Sequence, residues 1–149
     1  MVHIPPDVAI KAAIQPGSVY YFPEDSFNTE EPHYFVVINL DPSEDTVIIL
    51  VCSSSRIEKV RQRRIVFPSN TLVEISPEQY CDFKVDSIID CNYILEKNIE
   101  QLVEKLSQGN LLLKSEMNIE IVKKLREGVL DSPIIEDRIK KLLAYDQSS

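Results

Sequence analysis

Up to about residue 95 the chain is built from short, continuously apolar runs separated by turn formers, the pattern of buried strands. Beyond that point apolar residues recur every three to four positions, the pattern of helices. Pro16-Gly17 is a turn signal, and Ser18–Phe22 reads as a strand stopped by Pro23. Residues 24–32 are polar and bounded by prolines, hence a loop. Tyr34–Leu40 and Thr46–Cys52 are too uniformly apolar for one-sided strands. Joined by Asp41-Pro42-Ser43-Glu44-Asp45, they predict an antiparallel hairpin over 34–52 in a sheet's centre. Ile65–Phe67, Thr71–Ile75 and Ser87–Ile94 predict further strands. Between the last two, Ser76-Pro77-Glu78-Gln79 has the spacing of a capping box and predicts one helical turn.

In the second half, Ile99, Leu102, Val103 and Leu106 share a helix face, with Gly109 as its stop. Leu111–Lys114 reads as a short strand or a linker. Ile121, Val122, Leu125 and Val129 form a second stripe behind a cap at Asn118. Ser132-Pro133 opens a third helix with Ile135, Ile139, Leu142 and Leu143 inward, and residues 146–149 are expected to fray. Each stripe must be covered, so the helical tail over 96–145 is expected to be packed. The fold class is α+β, one domain over 1–149. Residues 16–95 form a small β-barrel or curled sheet, and helices pack on one side of it.

Composition narrows the class. With 149 residues, 44% apolar and 27% charged, the chain is long enough for a real core without a disulfide or metal staple. Sixteen basic against 24 acidic residues give a net charge of -8, which excludes a globally basic nucleic-acid binder but not a local basic patch. Cys52, Cys81 and Cys91 lack CxxC spacing, and His3 and His33 are the only histidines, so no zinc-ligand cluster is expected. Three Gly leave no P-loop or GxGxxG, and GxSxG and HExxH are absent, so no cofactor is expected. The first seventeen residues have neither a basic n-region nor a long apolar core, so no signal peptide is expected. The longest apolar run, 47–52, is far short of a membrane span. With unpaired cysteines, these features predict a cytoplasmic protein without membrane attachment.

Candidate chemistry gathers at strand ends. His33 opens the strongest strand beside a loop; it is a proton carrier near neutral pH or a hydrogen-bonded structural residue. Ser53-Ser54-Ser55 closes the antiparallel neighbour at the same end, as a hydroxyl donor or as a turn bonded to its own backbone. Arg56, Lys59, Arg61, Arg63 and Arg64 place five of 16 basic residues within nine positions. They suit phosphate, an acidic partner segment or a solvated loop. Glu24, Asp25, Glu30 and Glu31 read as a solvated acidic loop, a counter-charge to the basic one, or paired acids; Asp90, inside an apolar run, reads as a paired strand acid.

Taken in order, Pro16-Gly17-Ser18-Val19-Tyr20-Tyr21-Phe22-Pro23, Glu31-Pro32-His33-Tyr34-Phe35-Val36-Val37-Ile38-Asn39 and Val47-Ile48-Ile49-Leu50-Val51-Cys52-Ser53-Ser54 resemble the PemK/MazF-like toxins of bacterial toxin–antitoxin systems. Thr71–Ile75 and Ser87–Asn92 look like that family's remaining core strands, and the resemblance covers roughly residues 16–106. It implies a curled SH3-like barrel, a homodimer, and a metal-independent endoribonuclease of single-stranded RNA restrained by a cognate antitoxin. Carried over position by position, it puts His33 where the family has an Arg and Ser53 at the hydroxyl that ends the third strand. The Arg-Pro order is not kept, and the helical tail is longer than in a typical member. With Arg56 supplying fixed charge, His33, Ser53 and Arg56 are the expected catalytic set, and Arg61, Arg63 and Arg64 the expected RNA-binding rim. The alternative is a catalytically inactive barrel that serves as a protein-binding or regulatory module.

Overall fold

A computed structural model describes residues 4–144. His3 and the frayed end expected at 146–149 lie outside the described residues. Seven antiparallel strands form one sheet: β1 (Val19–Phe22), β2 (His33–Val37), β3 (Ile48–Ser54), β4 (Leu72–Ile75), β5 (Ser87–Asp90), β6 (Leu95–Lys97) and β7 (Leu112–Lys114). Among the described residues five α-helices accompany it: α1 (Pro6–Ala13), α2 (Ile57–Arg63), α3 (Ile99–Ser107), α4 (Ile119–Asp131) and α5 (Asp137–Leu143). The fold is therefore mixed α+β.

The hydrogen-bonded path runs β4-β5-β3-β2-β1-β7, with β6 paired beside β3. Its ends, β4 and β7, do not pair, so the sheet is open rather than a closed barrel. The expected hairpin is present: Phe35 faces Cys52, Val36 faces Val51 and Val37 faces Leu50. Its turn is held by Asn39, whose Oδ1 accepts from the Ile49 amide and whose Nδ2 donates to Asp45 and to the Val47 carbonyl. β3 is long enough to pair with β2 on one side and with β6 and β5 in succession on the other.

Because strand side chains alternate between faces, the sheet carries two cores. Val19, Val36, Ile49, Val51 and Ile89 face α4 and α5, meeting Val122, Leu125, Val129, Ile139 and Leu143. Tyr20, Phe22, Phe35, Val37 and Leu50 face α1 and α3, meeting Ile10, Ile14 and Leu102. The three helical stripes are covered except at Leu142, which was expected inward and is 37% exposed, and they are covered on both faces rather than on one side. Each fully buried Leu or Ile contributes about 1.5–3 kcal/mol of transfer free energy. The sheet also extends past the expected boundary at residue 95, through β6, which starts at Leu95, and β7.

Three local expectations change, and one helix forms where no element was expected. Ile65–Phe67 forms no strand; it is the turn leaving α2, with Ile65 and Val66 largely exposed. Residues 57–63 are helical although their one buried position is Val60. The strand expected over 87–94 stops at Asp90, whose Oδ1 accepts from the amide of Asn92 and bends the chain. Ser132-Pro133 ends α4 instead of opening α5, and the Ser132 carbonyl accepts from Lys140 Nζ. Elsewhere, Ser76 and Gln79 make their expected turn. Asn118 caps α4, Asn98 and Gln101 add a capping box on α3, and Gly109 takes φ +76° after α3. No helix among the described residues is long and apolar enough to cross a membrane.

Candidate functional site

Pro32 immediately precedes β2, which begins at His33. β3 runs the opposite way and ends at Ser54, whose Oγ accepts from the Arg56 amide and turns the chain into α2. One end of the hairpin therefore gathers an imidazole, a run of hydroxyls and a guanidinium. They line a cleft of about 530 Å³, with Tyr21, Glu31 and Lys84 also in its walls. His33, Ser53 and Arg56 all reach this cleft.

The ladder assigns their faces. Continuing its register sets His33 opposite Ser54 and Tyr34 opposite Ser53. His33 shares a face with Phe35 and Val37, and Ser53 with Val51 and Ile49. The hydroxyl on the imidazole's own side is therefore Ser54, and Ser53 is largely buried on the other side. His33 Nδ1 is enclosed without a hydrogen-bond partner among the described residues, and the ring meets Phe27 edge-on at 5.3 Å.

The basic cluster divides. Arg61 is paired with Glu58 and Glu74, and the Glu74 hydrogen bond helps hold its pKa above the ordinary value. Arg64 Nε donates to Asp90 Oδ2 at 2.8 Å, with its guanidinium carbon 5.1 Å from the Phe67 ring centre. Arg63 lies 3.7 Å from the same oxygen. Arg56 is exposed, and its guanidinium has no carboxylate partner among the described residues. Of the expected rim, Arg61 and Arg64 are thus held by the chain's own carboxylates. Asp90 is the paired strand acid that its apolar setting suggested.

Neighbouring groups set the site's electrostatics. Within the acidic loop, Glu24 is buried against Lys97 at 2.9 Å. Burial alone would raise its pKa; hydrogen bonds from Lys97 and Ser26 outweigh that and leave it below 4.5. Burial, with the Glu24 charge behind it, pushes the Cys52 thiol up to about 12, so it stays protonated at neutral pH. Tyr34 donates to the Asp82 carbonyl at 3.0 Å, and its ring packs against that of Tyr21, tilted by 36° with centres 4.5 Å apart. Among the described residues no group of three or more His, Cys, Asp or Glu is placed to hold a metal ion. Lys84 reaches the cleft from a loop that carries no periodic or motif signal, whereas Tyr93, beside the cleft, falls in the run expected as a strand and lies in the turn after β5. The chain matches no family model and no curated protein.

Proposed function

We propose that this chain is a toxin-like, metal-independent endoribonuclease acting on single-stranded RNA at the His33 cleft. The observation that carries the reading is the meeting around one cleft of His33, the Ser53–Ser54 hydroxyls and Arg56, whose guanidinium has no carboxylate partner among the described residues. The antiparallel path β4-β5-β3-β2-β1 is the part we read as SH3-like. A homodimer and a cognate antitoxin belong to the same proposal.

The chemistry asks little of the protein. A ribose 2′-oxygen attacks the adjacent phosphorus and forms a new P–O bond as the P–O5′ bond breaks. The 2′ proton goes to a base and the 5′ oxygen receives one, leaving a 2′,3′-cyclic phosphate and a 5′-hydroxyl. His33 serves as one of the two proton carriers. Arg56 offsets charge on the pentacoordinate phosphorus through its guanidinium fork. Ser54, on the imidazole's side, donates to a phosphate oxygen, the role that the resemblance assigned to Ser53.

A second reading is a non-catalytic binding module. It is favoured by the opposite faces of His33 and Ser53 and by the internal pairing of Arg61 and Arg64. End-labelled single-stranded RNA separates the two. Under the catalytic reading the protein cuts it, and His33→Ala abolishes cutting while binding persists. Wild-type protein that binds without cutting leaves the module.

A further inference from the structure

A second cavity of about 350 Å³ adjoins the cleft, and the two share His33, Ser53 and Ser54. Their chemistry differs. Arg56 and Lys84 line the first. The second is walled by Phe27 and Tyr93, with ring centres 6.1 Å apart, and by the Arg64–Asp90 pair with Arg63 beside it. Tyr93 is 40% exposed although it is a large aromatic. Arg63 stands 3.7 Å from Asp90 Oδ2, beyond hydrogen-bond distance, and is 59% exposed, so its donors can turn to another acceptor.

A nucleotide is divided in the same way. Its phosphate needs fixed positive charge and hydroxyl donors, and its base needs an aromatic surface and donors for ring nitrogens and carbonyls. His33 lies where the two cavities meet, as a group beside the sugar would have to.

We propose that the second cavity is a nucleobase subsite. An unstacked base next to the phosphate in the cleft rests against Tyr93 and Phe27, and Arg63 donates to its edge. This inference rests on the reading of the cleft as an RNA site.

The test measures binding of labelled 2′-O-methyl hexanucleotides, which cannot be cut through the 2′-oxygen, and of an abasic hexamer with the same backbone. At least one of the adenine, cytosine and uracil hexamers should bind on the order of tenfold more tightly than the abasic one. Tyr93→Ala should erase that difference and leave abasic binding unchanged, while Tyr93→Phe retains it. Arg56→Ala should weaken every hexamer alike. If wild-type protein binds the abasic hexamer as tightly as all the others, the base subsite is overturned and the phosphate cleft stands. If Tyr93→Ala keeps the full preference for a base, the subsite is likewise overturned. If no hexamer binds, the RNA reading falls and the subsite falls with it.

Discussion

Arg64 and Asp90, 26 residues apart, meet at 2.8 Å beneath the basic helix. Asp90 sits at the end of β5, and its other oxygen accepts from both the amide and the side-chain nitrogen of Asn92, which in turn donates to Thr71. One carboxylate thus joins α2, β5 and the turn before β4. Removing it leaves a part-buried guanidinium and several donors without an acceptor. Asp90→Ala should cost about 3 kcal/mol in urea unfolding, within the range for breaking buried ion pairs. Asp90→Asn, which keeps an acceptor oxygen, should cost less. An unchanged midpoint for Asp90→Ala would remove this pair from the account of stability.

Gly128 shows a second close approach. A Cβ there would lie 2.8 Å from the Asn70 carbonyl oxygen and 2.9 Å from Cys91 Sγ, both fixed by the fold. Gly128 is buried on α4 against the turn before β4, so the helix cannot move off without opening the core. Gly128→Ala should therefore destabilise by about 1–3 kcal/mol, despite alanine's better helix propensity. Thermal unfolding followed by circular dichroism checks the sign.

The hairpin was legible because long apolar runs leave strands few alternatives, and the α3 and α4 stripes because their period is helical. Helix α2 was not, since a charged segment with one buried residue carries no periodic signal. Nor was α1, an amphipathic helix of little more than two turns whose one buried residue is Ile10. Sheet closure depends on whether β4 meets β7, a relation between distant segments that no local pattern encodes. At the site, the end of the hairpin was readable, but the faces were not. A shift of one residue in register exchanges them, and only the pairing of Phe35 with Cys52 assigns Ser54, not Ser53, to the side of His33.

The helical tail makes unequal demands on its apolar residues. Leu125 is fully enclosed between the sheet and α5, whereas Leu142 is 37% exposed. Leu125→Asp buries a charge without a partner and should unfold the protein or leave it insoluble. Leu142→Asp should cost on the order of 1 kcal/mol and leave expression intact. Equal damage from the two would contradict the packing of α4 and α5 seen here.

Glu24 gives the protein an acid-sensitive contact. Its folded pKa lies below the ordinary 4.5, so it contributes stability above that pH and loses it as pH falls through the folded value. Lys97→Met removes the nearby ammonium and leaves a carboxylate dominated by burial. Its pKa should then rise, and the melting temperature should begin to drop at a higher pH than in wild type. Melting curves between pH 3 and 7 test this. Superimposable acid limbs would show that Lys97 does not set the carboxylate's pKa.

The arginines near the cleft should differ in RNA binding according to their internal partners. Arg56 has no carboxylate partner among the described residues to compete with a phosphate, while Arg61 is held between Glu58 and Glu74. If RNA lies in the cleft, Arg56→Ala should weaken binding with little dependence on sequence. It should also make the slope of log affinity against log salt shallower by about 0.7, the value for one phosphate contact on a single strand. Arg61→Ala should change the slope little, because its charge is already met by carboxylates of the chain. It also leaves Glu58 and Glu74 unneutralised, so any loss of affinity should be weak and long-range, fading as salt screens it. Titrations at several salt concentrations distinguish the two effects. A full-sized slope change at Arg61 with none at Arg56 would move the RNA path from the hairpin's end to the outer face of α2.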